Sequence, residues 1–226
     1  MGRWLLGENF NQKMEKSLFL MLLTKENINS LERVERLKLI NSICGFRGVH
    51  LIGTKSLDNI TNLAIFSSIT HLGSNPSLIG FVSRPSQKVK RDTISNILST
   101  NYFTINSIHE SIIDQAHQTS GKYSSSISEF EECGLNPQYI NNFYAPFVES
   151  SKIKIGLKFV QSIPIQYNNT CFVIGEIEQI YYQNKSLEEN FNDGVGVVGL
   201  NSYYKSSKIK DLEYFRVHNN DTSTKN

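Results

Sequence analysis

"NLAIFSSITHLGSNPSLIGFVSRPSQKVKRDT", from Asn62 to Thr93, changes character twice. It opens as an apolar run closed by Ser67 and Ser68 and passes through a Gly-Ser-Asn-Pro turn. It then resumes as "SLIGFVS" and ends in a cluster of Arg84, Lys88, Lys90 and Arg91. Short runs rich in β-branched and aromatic residues and bounded by turn residues predict strands. The stretch therefore raises a chemical question: what needs hydroxyls beside one strand and positive charge after the next?

The same strand pattern recurs on both sides. "VHLIGT" (Val49 to Thr54), "NYFTINS" (Asn101 to Ser107), "KIKIGLKFVQ" (Lys152 to Gln161) and "TCFVIGEIEQIYY" (Thr170 to Tyr182) join the two runs above to give six strands, too many for a helix bundle. Helical spacing predicts a helix in "NSLERVERLKLINSIC", capped by Asn29 or Ser30, with Leu31, Val34, Leu37, Leu39 and Ile40 near one face. Two more are predicted in "DTISNILST", with Ile94, Ile97 and Leu98 on one face, and in "ESIIDQAHQTS", with Ile112, Ile113 and Ala116 on one face. Strands do not alternate regularly with long helices, which argues against a doubly wound parallel sheet. The expected class is mainly β, a mostly antiparallel barrel with peripheral helices.

With 226 residues and 39% hydrophobic composition, the chain is long enough to bury a core as one domain. Its 23 basic and 21 acidic residues nearly balance, which excludes bulk attraction to nucleic acid or to an anionic membrane. Cys44, Cys133 and Cys171 are widely spaced and lack zinc-ligand company, so they are read as buried reduced thiols, and no metal is expected. The apolar run Leu18 to Leu23 is too short for a membrane span or a secretory leader, which predicts a cytoplasmic protein. Residues 1–30 are read as an extension and 31–218 as the folded domain. A disordered polar tail is expected at 219–226.

"GVGVVG", Gly194 to Gly199, spells the dinucleotide fingerprint G-x-G-x-x-G, but no strand precedes it and too little chain follows it. Alternating Gly and Val instead suit a short strand beside a close backbone approach. The cationic cluster is more informative, because it runs into a helix that Asp92 or Thr93 would cap. Unpaired N–H groups at a helix start, with Arg and Lys beside them, suit a phosphate, although a solvated basic loop has equal standing on pattern alone. Upstream, Asn62, Ser67 and Ser68 put hydrogen-bonding groups at both ends of an apolar strand. They would hold the edge of a planar heteroaromatic ring while Ala64 and Phe66 or Ile65 cover a face. An ordinary barrel strand with polar ends is the competing and, on pattern alone, stronger reading.

Taken in order, "LINSICGFRGVHLIGTKS", "TNLAIFSSITHLGSNPSLIGFVSRP", "RDTISNI" and "AHQTSGKYSSSISEFEECGL" resemble the flavin reductase-like family, from about Leu37 to Phe215. The chain departs from it in reading Pro76-Ser77 where relatives often have Pro-Pro. The resemblance implies an FMN-binding split β-barrel of six strands with Greek-key connections, paired as a homodimer. It implies ring contacts from Asn62, Leu63, Ala64, Ile65, Phe66, Ser67 and Ser68. Ser83, Arg84, Arg91 and Thr93 are then expected around the ribityl chain and phosphate, with Thr54 as a lesser candidate. His117, in "AHQTSGKY", falls in a loop that similar proteins keep over the flavin, and is a candidate catalytic residue at the nicotinamide face. The implied activity is hydride transfer from NAD(P)H to flavin, which needs no protein nucleophile. A flavoredoxin-like electron carrier and an enzyme like pyridoxamine-phosphate oxidase are the alternatives.

Overall fold

The computed structural model describes residues 22–85, 91–183 and 194–215. Lys88 and Lys90 of the cationic cluster, most of the Leu18 to Leu23 run and the tail from Asn219 lie outside the described residues. Helices α1 (Lys25–Ser30) and α2 (Arg33–Ile43) lead into strands β1 (Arg47–Gly48) and β2 (His50–Lys55). There follow β3 (Thr61–Phe66), β4 (Thr70–Ser74), β5 (Ser77–Ser83), α3 (Asp92–Thr100) and β6 (Tyr102–Ser107). A 3₁₀ turn (Glu110–Ile112) precedes α4 (Ile113–Gln118) and α5 (Glu129–Glu132), and then come β7 (Pro137–Gln138) and β8 (Phe147–Val148). The long pair β9 (Ile153–Ile165) and β10 (Thr170–Tyr182) and the small hairpin β11 (Val195–Val198) and β12 (Ser202–Lys205) complete the order.

The main sheet has seven strands in the order β3-β2-β6-β9-β10-β5-β4, and every pairing in it is antiparallel. All six expected strands are in it, so the molecule is mainly β, with the split-barrel architecture. The seventh, β4, was not expected. Its five residues are mostly exposed and carry no apolar alternation, and the strand exists because a tight turn at Asn75–Pro76 folds it back onto β5. The edge strands β3 and β4 are consecutive in the chain, joined by a corner at residues 67–69. Continuing the β4 register, in which Thr70 faces Gly80, sets Ser68 opposite Val82. There the Ser68 hydroxyl donates to the Val82 carbonyl at 3.2 Å and accepts from its N–H at 3.1 Å, replacing a backbone pair where the chain is already turning away.

Strand β2 separates two cores because its side chains alternate. Leu51 joins Leu63, Ile112, Ala116, Phe130, Val195 and Val197, while Ile52 joins Phe81, Ile97, Phe103, Leu157 and Val173. Each fully buried side chain of this size contributes roughly 1.5–3 kcal/mol. Phe66 and Phe103 both stand edge-on to Phe81, with ring centres 5.0 and 5.7 Å away.

The helices correct several sequence expectations. The first predicted helix is two, separated at extended Leu31. Thr24 caps α1 with a capping box, and α2 starts after Glu32 without a side-chain cap, so neither Asn29 nor Ser30 is an N-cap. The apolar residues Val34, Leu37, Ile40 and Ile43 of α2 are exposed. Helix α3 starts after Arg91, not after a capping Asp92 or Thr93, and its inward face is Thr93, Asn96 and Ile97, with Leu98 exposed. Cys133 is buried as expected, Cys171 is half-buried and Cys44 is exposed. "GVGVVG" forms β11, where a side chain at Gly196 would run into the Phe46 ring, so the close neighbour is aromatic and not backbone. Among the described residues no helix is long and apolar enough to cross a membrane.

Candidate functional site

Strand β3 presents alternate residues to its two sides. Leu63 and Ile65 pack against the α4 and α5 side, while Phe66 joins the barrel core with α3. Asn62 faces the same way as Phe66, directly across from Thr54 on β2. Both are buried, and so are Thr93 and Asn96 on the inward face of α3 and Glu129 at the start of α5.

These five side chains form one hydrogen-bonded network. Asn96 Nδ2 donates to Thr54 Oγ1 at 3.1 Å, and Thr54 Oγ1 donates to Asn62 Oδ1 at 3.1 Å. Thr93 Oγ1 donates to the same Asn62 oxygen at 2.9 Å. The other end of the Asn62 amide donates to Glu129 Oε2 at 2.8 Å, and that oxygen also accepts the Leu63 N–H at 3.0 Å. Burial pushes the Glu129 carboxyl above its ordinary range, with Asp92 adding to the effect, against the pull of the Leu63 and Asn62 hydrogen bonds.

The network has a chemical consequence for Thr93. Its single proton is committed to Asn62, so its oxygen offers only lone pairs outward. A phosphate also offers only acceptors, and its hydrogen bonds must come from other donors. Two arginines flank the start of α3. Arg84 is exposed on a cleft of about 310 Å³ shared with Ser83, Ile94, Asn169 and Thr170, and Arg91, the N-cap residue of α3, is half-buried. The Arg91 Nε is shut off from solvent without a hydrogen-bond partner, a condition it shares with Arg47 Nε and His50 Nδ1 among the described residues. A buried donor lacking an acceptor beside a helix start fits a group that brings an anion.

The remaining expected residues are dispersed around this centre. Thr54, Asn62 and Thr93 meet in the network, whereas Ser68 is engaged with Val82 and Ser83 donates weakly to the carbonyl of Arg84 at 3.4 Å. Ala64, Ile65 and Ser67 are half-buried along and just beyond β3. His117 ends α4 on the Leu63 side of the strand, exposed, with Nδ1 2.8 Å from the Tyr203 hydroxyl of β12. The loop after it is tied back to β3 at its far end, where Thr61 and Ser128 hydroxyls meet at 2.6 Å.

Sequence reasoning missed Asn96 and Glu129. The spacing Thr93, Asn96, Ile97 carried a signal for the first, since it marks one helical face. Nothing distinguished Glu129 from Glu131 and Glu132, its neighbours in "EFEE", although burial separates them completely.

Comparison with known proteins identifies the family and the fold. The model of the flavin reductase-like domain matches residues 46–212. A split-barrel protein from Shewanella frigidimarina that carries a flavin reductase assignment is 42% identical, covering 86% of this chain and 100% of that one, with a TM-score of 0.81. Nitrilotriacetate monooxygenase component B from Bacillus cereus superposes with a TM-score of 0.74 at 18% identity, over 85% of this chain and 98% of that one. Flavoredoxin of Desulfovibrio vulgaris (Miyazaki F) gives 0.64 at 20% identity, over 75% and 92%. The last two likenesses concern fold alone. With the family model spanning the strands, the α3 start and the Glu129 segment together, the chain belongs to the flavin reductase-like domain family.

Proposed function

We propose that this protein is an FMN-dependent oxidoreductase that accepts hydride from NADH or NADPH, working as a homodimer. The observation that carries the reading is the juxtaposition at α3. Arg91, with a buried unpartnered Nε, begins the helix whose Thr93 is bonded to Asn62 of β3. A phosphate end and a ring end are thereby held at a fixed separation by one buried network.

Bound FMN would supply the chemistry, taking two electrons and a proton from the nicotinamide as hydride. The chain's own work is binding and orientation. Arg84, Arg91 and the backbone N–H groups at the start of α3 hold the phosphate. Ser67 and the backbone of β3 meet the ring edge, and Ala64 and Phe66 lie along a face. Thr54, Asn62 and Thr93 act from beneath, keeping strand and helix in register. His117, steadied by Tyr203 through Nδ1, is left with Nε2 to meet the nicotinamide face.

The test is spectroscopic. Protein reconstituted with FMN should lose its visible flavin absorbance on anaerobic addition of NADH or NADPH, with saturable kinetics. A bound flavin that dithionite bleaches at once while neither nucleotide does so within minutes defeats the reductase reading in favour of an electron carrier.

A further inference from the structure

The buried carboxylate of Glu129 is the one charged member of the network, and it has no counterpart in the binding scheme above. Deepening that scheme and resting on its flavin reading, we propose that Glu129 is a positioning residue for the cofactor site. It fixes the Asn62 amide and, through it, the junction of β3, α3 and the loop after α4.

The argument follows from donor and acceptor counting. An amide side chain can be turned end for end, and in isolation Asn62 has no reason to prefer one orientation. A carboxylate only accepts, so Glu129 Oε2 at 2.8 Å selects the Nδ2 end. Oδ1 is then forced toward Thr54 and Thr93, and both hydroxyls must donate to it. Thr54 can in turn accept from Asn96. One buried acceptor therefore sets the direction of every hydrogen bond between strand and helix. The same oxygen takes the Leu63 N–H, which lies on the edge strand and would otherwise be an unpaired donor in the interior. The adjacent Ser128 to Thr61 contact brings in the end of the loop that starts beyond His117. Without the acceptor, two buried donors lose their partner and the amide is free to turn, which would release Thr93 and with it the start of α3.

The decisive experiment exchanges the two groups. Asn62→Asp sets two carboxylates against each other and should weaken FMN binding at least tenfold in a fluorescence titration. Adding Glu129→Gln restores an amide facing a carboxylate with the partners reversed, since the new glutamine can donate to position 62 and still accept from Leu63. Most of the lost affinity should return in the double variant. Glu129→Gln alone, which keeps the acceptor, should stay within about threefold of wild type, whereas Glu129→Met, which fills the space without an acceptor, should bind at least tenfold more weakly. A double variant no better than Asn62→Asp, or a folded Glu129→Met that binds FMN like wild type, overturns the inference. The flavin reading fails separately, if wild type itself takes up no FMN.

Discussion

Arg91 is the residue on which the proposed phosphate contact depends most. Its Nε is enclosed and has no acceptor, a state that costs free energy until an anion arrives. Because a hydrogen bond to a charged group contributes roughly 1.5–3 kcal/mol, Arg91→Ala should weaken FMN binding about tenfold to a hundredfold. Arg84 is exposed, where water and salt compete, so Arg84→Ala should lose less and more salt-dependently. Fluorescence titration of the two variants at low and moderate salt measures both. Equal affinity of Arg91→Ala and wild type would remove the phosphate from this end of α3. At this scale the sequence disclosed residue type but not destination. Asn62 and Thr93 were expected to contact a ligand and instead contact each other, because the cross-strand and strand-to-helix distances that decide between ligand and neighbour are tertiary.

At the scale of elements, strong patterns were legible and tertiary ones were not. The run from Thr170 to Tyr182 matched β10 residue for residue, since it is rich in β-branched and aromatic residues and both its neighbours are strands. β4 was hidden because an exposed edge strand has no apolar pattern to show. β2 adds a prediction of its own. It opens at His50, half-buried beside its cross-strand partner Phe66 with Nδ1 shut off from solvent, and burial holds the imidazole down to about 4. The unfolded chain therefore binds the proton first, so His50 favours the folded state fully above pH about 6.5 and progressively loses that contribution as pH falls toward about 4. The loss is at most about 3.4 kcal/mol, from 1.36 kcal/mol per unit. His50→Phe keeps a ring without a titrating nitrogen, and should flatten the acid limb of a stability profile from urea unfolding between pH 7 and 4.5. An unchanged acid limb would assign the proton uptake elsewhere.

For the whole molecule, the outward faces matter most. Val160, Ile163 and Ile165 of β9 and Ile180 and Tyr182 of β10 are apolar and exposed on one long hairpin, and Val34, Leu37, Ile40 and Ile43 add an exposed helix. These exposed apolar residues are the surface a second copy would cover in the dimer proposed above. The dimer proposed above should appear in light scattering at about twice 25.7 kDa, and should persist when FMN is removed, because the exposed faces belong to the chain itself. A monomer that binds FMN tightly would show that one copy completes the site.

The corner between β3 and β4 has a mechanical meaning for this architecture. A backbone ladder opens only when several bonds break together, but Ser68 holds Val82 through one hydroxyl, which releases by rotating about a single bond. The barrel wall therefore has a latch at the place where the two edge strands meet. Seating a planar ring at the end of β3, as the proposed function requires, would work against one side-chain rotor and leave the long β9–β10 pairing untouched.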